Sequence, residues 1–182
     1  MTFSAVLDTC VLYPAHLRDT LLRLAERGLY RALWSADIVE ELHRTLSELI
    51  GPGTVARLLG LMATAFPDAE ITGYQPLIDG LTCDPKDRHV LAVAVRSAAG
   101  AIVTFNTDDF PDHSVEEFDL EVIHPDTFLL DLLDLAPSVV VDELSQQAAA
   151  NRRAPRTLVQ ILETLERAGA PAFADEVRRR IT

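Results

Sequence analysis

Short apolar segments alternate with amphipathic helical patterns along most of the chain, and this alternation limits the possible folds more than any other feature. Each segment has three to five residues, a length typical of a buried strand and too short for a buried helix. The predicted strands cover residues 3–7, 32–34, 101–104 and 120–123, with a further short strand around Ile71. Strands that alternate with helices form parallel sheets. We therefore predict an α/β fold, a parallel sheet flanked by helices as an α/β/α sandwich.

Apolar residues at helical spacing predict the connecting helices. These helices cover residues 15–28, 35–50, 55–66, 87–100 and a segment from 125 onward. Ser35 is placed as the N-cap of the second helix, and Gly28 and Gly100 are placed to end the first and the fourth. The residues that we expect to face the core from the second helix are Ile38, Val39, Leu42, Leu46 and Leu49.

The end of the chain contains no predicted strand. Three prolines each introduce a helical pattern there, namely Pro137, Pro155 and Pro171. The apolar stripe within residues 158–165 must be buried, and we expect the chain's own core to cover it rather than a second subunit or a partner. We predict two parts, a domain at residues 1–136 and a small all-helical extension at residues 137–182.

The charge of the chain is uneven. The net charge is -12, and residues 1–136 hold 22 Asp and Glu against 9 Lys and Arg, whereas residues 137–182 hold 6 against 7. This balance argues against a protein that coats nucleic acid nonspecifically, because such binding depends on many basic contacts to phosphate. Two interpretations remain open, a solvated acidic surface or carboxylates that converge on a divalent cation.

Composition restricts the class of protein further. Hydrophobic residues make up 48% and charged residues 24%, a balance typical of a folded globular chain. No stretch approaches the roughly 18 consecutive apolar residues of a membrane span, and no basic segment precedes the first predicted strand, so we expect a cytoplasmic protein without a membrane partner. Cys10 and Cys83 are too few for a disulfide scaffold and lack the spacing of a zinc site. Buried packing explains them better than redox sensitivity.

Polar side chains follow two of the predicted strands. Asp8 comes directly after the first strand, Asp87 opens the helix before the third, and Asn106, Asp108 and Asp109 follow the third. In a parallel sheet, ligands bind beyond the carboxyl ends of the strands. Carboxylate and amide oxygens suit Mg²⁺ or Mn²⁺, which leave coordination positions open for a phosphate. Metal-assisted cleavage of a phosphodiester is the chemistry that this pattern favours.

Each acid also has a structural interpretation. Asp8 can form a turn at a strand end, and Asp84 and Asp87 can cap the following helix. Glu40 and Glu41 occupy adjacent helical positions, about 100° apart, so only one of them can face the cleft, and periodicity alone does not choose between them. An aspartyl-phosphate mechanism at Asp8 has less support, because the second Asp that such phosphatases carry two residues later is absent.

Four blocks of sequence together form a recognisable pattern. They are Ala5-Val6-Leu7-Asp8-Thr9, residues 35–42 with Glu41 before Leu42, Asp84-Pro85-Lys86-Asp87-Arg88-His89-Val90-Leu91-Ala92, and Ile102-Val103-Thr104-Phe105-Asn106-Thr107-Asp108-Asp109-Phe110. In order and spacing, the chain resembles the PIN-domain ribonucleases over roughly residues 3–130. Within that family it is most similar to VapC-type toxins of bacterial toxin-antitoxin pairs.

The resemblance implies a metal-dependent endoribonuclease, a hydrolase that cuts RNA with Mg²⁺ or Mn²⁺. Asp8, Glu41 and Asp87 match the family's metal-binding acids, and Thr9 and Thr104 match positions that support the site through their hydroxyl groups. The resemblance further implies a homodimer, inhibition of translation as the toxin's effect, and a cognate antitoxin as partner.

The last block departs from the family pattern. The fourth acid usually falls two residues after the threonine, where this chain has Asn106. Asn keeps an oxygen ligand but removes a charge, which Asp109 can restore as a further metal ligand. The form Thr-x-Asn-x-x-Asp-Phe is similar to one branch of the family, so we expect an active enzyme. The alternative is a catalytically silent PIN-like module that binds RNA or a partner.

Several basic side chains are candidates for contact with RNA. Arg88 and His89 follow Asp87 directly and either contact phosphate or pair with neighbouring acids. Three arginine groups elsewhere either line a phosphate-binding patch or form salt bridges on solvated helix faces. These groups are Arg18, Arg23, Arg27 and Arg31, then Arg152, Arg153 and Arg156, and finally Arg178, Arg179 and Arg180.

Overall fold

A four-stranded parallel sheet lies within the part of the chain that the computed structural model describes, residues 3–181. Strands β1 (Ser4–Leu7), β2 (Arg31–Leu33), β3 (Ala101–Val103) and β4 (Glu121–Ile123) have the order β2-β1-β3-β4. Val6 of β1 lies opposite Leu33 on one side and Ile102 on the other. The apolar residues of β1 and β3 are fully buried, as expected for central strands of a parallel sheet. The predicted α/β fold is confirmed.

Helices flank the strands in the predicted order. They are α1 (Thr9–Leu12), α2 (Ala15–Glu26), α3 (Ala36–Ile50), α4 (Pro52–Ala65), α5 (Arg88–Ser97), α6 (Asp112–Val115), α7 (Pro125–Leu135), α8 (Pro137–Ala150), α9 (Leu158–Arg167) and α10 (Pro171–Ile181). Short 3-10 helices cover Gln75–Gly80, Thr107–Asp109 and Glu116–Phe118. Within residues 3–181, no helix combines the length and the apolar character needed to cross a bilayer. The expectation that no basic segment precedes the first strand concerns residues 1 and 2, which lie outside the described residues.

Local signals fix the ends of α3. The Ser35 hydroxyl accepts a hydrogen bond from the backbone N–H of Ile38 at 3.3 Å, which confirms the predicted N-cap. Gly51 ends the helix with a φ of +82°, a conformation that favours glycine. One expectation for this helix is wrong. Leu49, in the last turn of α3, has the right period for the core but is 67% exposed, whereas Leu46 is only 3% exposed.

Other boundaries also differ from the predictions. No strand forms around Ile71, where a single bridge joins Trp34 to Glu70. The fourth predicted helix ends at Ala98, which adopts the left-handed conformation, and not at Gly100. Gly100 is instead needed for a close approach, because a Cβ there would lie 2.5 Å from the ring of Phe3.

The described contacts divide the chain into two compact units. The first, the cleft unit, comprises residues up to 13 and residues 30–123, and it holds the sheet with α1 and α3–α6. Helix α3 packs on α4, and α5 packs on β1 and β3.

The second unit, the helical unit, comprises residues 14–29 and the chain from residue 124 onward. It contains α2 and α7–α10, where α8 packs on α2 and α9, and α10 packs on α7 and α9. Ile161, Leu162 and Leu165 are fully buried among these helices, as expected of the apolar stripe. Helix α7 groups with this unit, so the division falls just before residue 124, whereas the predicted boundary is at residue 136.

Candidate active site

The carboxyl ends of β1 and β3 bring Asp8 and Thr104 together. Asp8 follows β1 directly and caps α1, because its Oδ1 accepts a hydrogen bond from the Thr9 backbone N–H at 2.7 Å. Its Oδ2 accepts a hydrogen bond from the Thr104 hydroxyl at 2.7 Å. The Thr104 hydroxyl in turn accepts a hydrogen bond from the backbone N–H of Asn106 at 3.0 Å. Asp8 is only 5% exposed, and this network holds its carboxylate in one orientation.

Helix α3 brings a second carboxylate to the same place. The Thr9 hydroxyl donates a hydrogen bond to Glu41 Oε2 at 2.9 Å. Glu41 therefore lies beside Asp8, whereas Glu40 is exposed. His89 approaches the same carboxylate, with its Nε2 3.8 Å from Glu41 Oε1. The choice between the two glutamates, which helical periodicity leaves open, is made by the contact with Thr9.

The third carboxylate, Asp87, has no capping role. It occupies the N-cap position of α5, but its side chain makes no capping hydrogen bond, and its buried Oδ2 has no hydrogen-bond partner within residues 3–181. Asp84 does have a structural role, because its Oδ1 accepts a hydrogen bond from the Lys86 backbone N–H at 3.1 Å. The capping interpretation therefore fails for Asp87, and Asp84 supports the turn before it.

Negative charge accumulates around Asp87. Burial, and next the charge of Asp8, raise the pKa of Asp87 from 3.8 to about 7. The ammonium group of Lys86 offsets only part of this effect, at 3.8 Å from Asp87 Oδ2 and 3.0 Å from Asp109 Oδ2. Lys86 thus compensates only part of the carboxylate charge around Asp87.

These side chains surround a cavity of about 420 Å³ within the cleft unit. The residues that line it are Asp8, Thr9, Cys10, Tyr13, Glu41, Arg44, Thr45, Lys86, Asp87 and Asn106. Asp109 does not line the cavity but reaches it through its ion pair with Lys86.

Arg88 and His89 are not brought into the cavity. Arg88 Nε and His89 Nε2 are buried without a hydrogen-bond partner among the described residues, and His89 Nδ1 lies 2.9 Å from the Lys86 carbonyl oxygen. Neither residue lines the cavity, although His89 Nε2 lies 3.8 Å from the carboxylate of Glu41, which does.

Sequence reasoning missed Tyr13, Arg44 and Thr45 as cavity residues. A signal for them exists, because Tyr13 lies four positions after Thr9, and Arg44 and Thr45 lie three and four positions after Glu41. Residues at these helical spacings share a face. A helical residue three or four positions after an identified site residue is therefore a candidate for lining the same cavity.

Cys10 is part of the packing around Asp8. Its Sγ lies 3.3 Å from Asp8 Oδ2 and accepts a hydrogen bond from the Phe105 backbone N–H at 3.3 Å. Burial, and next the charge of Asp8, raise the pKa of the thiol to about 12. The group therefore stays protonated at neutral pH, which fits a packing role and not a reactive thiol.

The donor set fits a hard divalent cation. Asp8, Glu41, Asp87 and Asn106 supply only oxygen atoms, the ligands preferred by Mg²⁺ and Mn²⁺. Asp87 Oδ2 is a buried acceptor without a hydrogen bond among residues 3–181, and the Lys86 ammonium lies 3.8 Å from it. Within residues 3–181, no three His, Cys, Asp or Glu side chains already form a closed metal-binding group. Mg²⁺ or Mn²⁺ held by these side chains would keep part of its water shell.

Known proteins match both parts of the chain. Residues 4–108 match the model of the PIN domain, and residues 125–179 match the model of the VapC50 C-terminal domain. A protein of Mycobacterium tuberculosis (strain ATCC 25618 / H37Rv), named "Putative ribonuclease VapC50", is 39% identical over 107 residues. That alignment covers 59% of this chain and 63% of the relative, and no solved structure matches the chain.

The match to the PIN domain covers the segments that build the cleft. Asp8, Glu41, Asp87 and Asn106 all lie inside residues 4–108, whereas Asp109 follows directly after them. The parallel sheet and the position of the carboxylates at its carboxyl edge agree with the resemblance expected from the sequence. Since this model matches more than half of the chain, the protein belongs to the PIN-domain family.

Proposed function

We propose that this protein is a metal-dependent endoribonuclease that hydrolyses phosphodiester bonds of RNA in the acidic cleft. One observation carries the proposal, namely that carboxylates from separate segments, Asp8, Glu41 and Asp87, line one cavity at the carboxyl ends of the strands. The likeness to a relative named as a ribonuclease supports the same activity.

The residues that would hold Mg²⁺ or Mn²⁺ are Asp8, Glu41 and Asp87, with the amide oxygen of Asn106 in the fourth position. When bound, the ion supplies Lewis-acid chemistry, which polarises a phosphate and lowers the pKa of a water molecule. Thr9 holds the carboxylates of Asp8 and Glu41 through its backbone N–H and its hydroxyl, at 2.7 Å and 2.9 Å. Thr104 fixes the second oxygen of Asp8.

Asp109 acts indirectly in this proposal. Its carboxylate holds the Lys86 ammonium at 3.0 Å, and it lies close enough to Asp87 to contribute to the raised pKa of that residue. Asp109 thus restores the charge that Asn106 lacks without lining the cavity itself. As a further ligand it would require Lys86 to move away.

The relative and the C-terminal match support a proposal for the biological setting. We propose a VapC-type toxin that inhibits translation in the cytoplasm, acts as a homodimer and is neutralised by a cognate antitoxin. The match of residues 125–179 to the VapC50 C-terminal domain supports this assignment.

The second candidate function is a silent module that binds RNA or a partner without cleavage. It is favoured by Asn106 in place of an acid, which removes one charge from the site. Turnover that depends on a metal separates the two functions.

The test is cleavage of a labelled single-stranded RNA of mixed sequence with Mg²⁺ or Mn²⁺, compared with EDTA. The variants are Asp8→Asn and Glu41→Gln, with Glu40→Gln as the matched control on the adjacent, exposed position. We expect Asp8→Asn and Glu41→Gln to lose about 100-fold or more in rate and the control to stay within about 2-fold. Equal rates for all variants would indicate a contaminant. Binding of Mn²⁺ without cleavage would favour the silent module.

A further inference from the structure

The structure separates the three arginine groups that were candidates for RNA contact. In the first group, Arg18 is only 8% exposed, and Arg27 lies 3.2 Å from Glu143. Arg23 likewise pairs with Asp19 at 3.1 Å. Arg23 and Arg27 therefore take part in ion pairs within α2 and between α2 and α8, and Arg31 donates a hydrogen bond to the Asp68 carbonyl oxygen at 3.0 Å.

The group at the end of α10 is also neutralised. Arg178 pairs with Glu166 at 2.8 Å, and Arg179 pairs with Glu176 at 2.6 Å. Arg180 contacts the carboxylates of Glu176 and Asp134. Each guanidinium group therefore already has an acidic partner within the chain, and little charge is left for a phosphate.

The middle group differs from both. Arg152, Arg153 and Arg156 lie in the segment 151–157 between α8 and α9, which we name the arginine loop. All three side chains are exposed, and no ion pair or side-chain hydrogen bond joins them to the residues that the structure describes. Three positive charges within five positions thus have no acidic partner in residues 3–181.

The backbone of the arginine loop is nevertheless anchored. Asn151 Nδ2 donates a hydrogen bond to the Pro155 carbonyl oxygen at 2.8 Å. The backbone N–H of Arg156 donates to Gln160 Oε1 at 2.8 Å, and Thr157 caps α9 through the N–H of Gln160 at 3.3 Å. The loop therefore presents free guanidinium groups from a fixed backbone, which lowers the entropy lost when an anion binds.

We propose that the arginine loop binds the phosphate backbone of single-stranded RNA and gives the helical unit a substrate-binding role separate from the cleft. The inference rests on the proposed ribonuclease function. The charge of the two units supports it. The cleft unit holds 17 Asp and Glu against 6 Lys and Arg, a net charge of -11, whereas the helical unit holds 11 against 10, a net charge of -1. A polyanion repelled by the cleft unit needs cations elsewhere, and the loop supplies them.

RNA fits the loop better than an acidic protein does. Residues 151–157 include no aromatic and no large aliphatic side chain. Stable protein interfaces depend on such side chains as buried anchors, whereas a phosphate backbone requires mainly cations and hydrogen-bond donors. The planar guanidinium group also binds phosphate through two parallel hydrogen bonds.

The test measures binding of a fluorescent oligoribonucleotide of mixed sequence to the full chain in EDTA, by anisotropy between 50 and 200 mM salt. Three proteins are compared, a parent and two variants of it, and all three carry Asp8→Asn to prevent cleavage. The loop variant adds Arg152→Gln, Arg153→Gln and Arg156→Gln. The control variant adds Arg57→Gln, Arg96→Gln and Arg167→Gln, which change the net charge equally at other exposed positions. Thermal unfolding of both variants is measured to check that they fold.

We expect the loop variant to bind about 10- to 30-fold more weakly at 50 mM salt and the control to change less than about 3-fold. The slope of log K against log salt should become shallower by about 2 in the loop variant, because each lost contact to a single strand removes about 0.7. Equal affinity of the loop variant and its parent would overturn the inference. So would equal losses in both variants, or competition by poly-glutamate as strong as that by unlabelled RNA.

Cleavage by the native chain with Mn²⁺ is measured separately. Binding that depends on the loop, together with an absence of cleavage, would reject the ribonuclease proposal and retain the RNA-binding role of the loop. If the native chain cleaves RNA and the loop variant binds RNA as its parent does, the RNA-binding role of the loop is rejected and the ribonuclease proposal stands.

Discussion

Replacing Asp87 with Asn should stabilise the protein in the absence of metal while removing its activity. In the folded chain, burial and the charge of Asp8 raise the pKa of Asp87 from 3.8 to about 7. The folded state therefore binds this proton more tightly than the unfolded state does, and ionisation of Asp87 lowers the free energy of unfolding. The penalty is absent below about pH 4, grows between pH 4 and 7 and is complete above pH 7.

The magnitude follows from the size of the pKa shift. A pKa shift of about 3 units corresponds to about 4 kcal/mol in the free energy of unfolding. We expect Asp87→Asn to gain only about 1–2 kcal/mol of this, because the folded structure relaxes and water screens the charge in the native chain. For a chain of this length, that gain raises the melting temperature by about 2–8 °C. At pH 5.5 the gain should fall to about half of its value at pH 8.5, because Asp87 is then largely protonated in the folded state.

The assay is thermal unfolding in EDTA at pH 8.5 and pH 5.5. Asp108→Asn is the matched control, because it removes one exposed carboxylate from the neighbouring segment. We expect this control to shift the free energy of unfolding by less than about 0.5 kcal/mol. Added Mn²⁺ should raise the melting temperature of the native chain and not that of Asp87→Asn. A variant that is less stable than the native chain at pH 8.5 would refute the reasoning.

Three further predictions concern other parts of the structure. Thr104→Val removes the hydroxyl that holds Asp8. It should lower the cleavage rate about 10-fold or more, and in a denaturant titration it should lower the free energy of unfolding by about 1–2 kcal/mol. Asp126→Ala removes the carboxylate that accepts a hydrogen bond from the Phe173 backbone N–H at 2.8 Å, in the first turn of α10. In the same titration it should lower the free energy of unfolding by about 1 kcal/mol, and the cleavage rate should not change. Cys10 should react with iodoacetamide far more slowly at pH 7.5 than a free thiol does, because its pKa is raised to about 12, and rapid modification of the folded chain would contradict this.

Local signals predicted the elements that surround the site. Apolar runs fixed β1 and β3, and the hydroxyl of Ser35 fixed the start of α3, because capping and burial patterns lie within a few neighbouring residues. The strand around Ile71 failed because pairing is not local, and only the bridge from Trp34 to Glu70 forms. Helix α9 begins at Leu158 with Thr157 as its cap, whereas the sequence pointed to Pro155.

The candidate site could be predicted only in part. Asp8 was identifiable because a carboxylate that follows a buried strand has a fixed place at the edge of the sheet. The choice of Glu41 over Glu40 required the contact with Thr9, which joins segments 32 positions apart. Arg88 and His89 follow Asp87 in sequence, but successive helical residues point about 100° apart, so adjacency does not predict a shared cavity. The catalytic roles themselves stay predictions.

The two proposals depend on the same uneven charge. Lys86 forms ion pairs with both Asp87 and Asp109, and the pKa of Asp87 still rises to about 7. The cleft unit therefore favours a divalent cation and repels a polyanion unless that cation is present. A substrate that arrives as a polyanion gains from first contacting arginines outside the cleft unit. The arginines of residues 151–157, which have no acidic partner among residues 3–181, provide such a contact. In the two proposals, the arginines attract RNA without a metal, and the divalent ion serves the cleavage. This division of roles would allow a chain with a net charge of -12 to act on RNA.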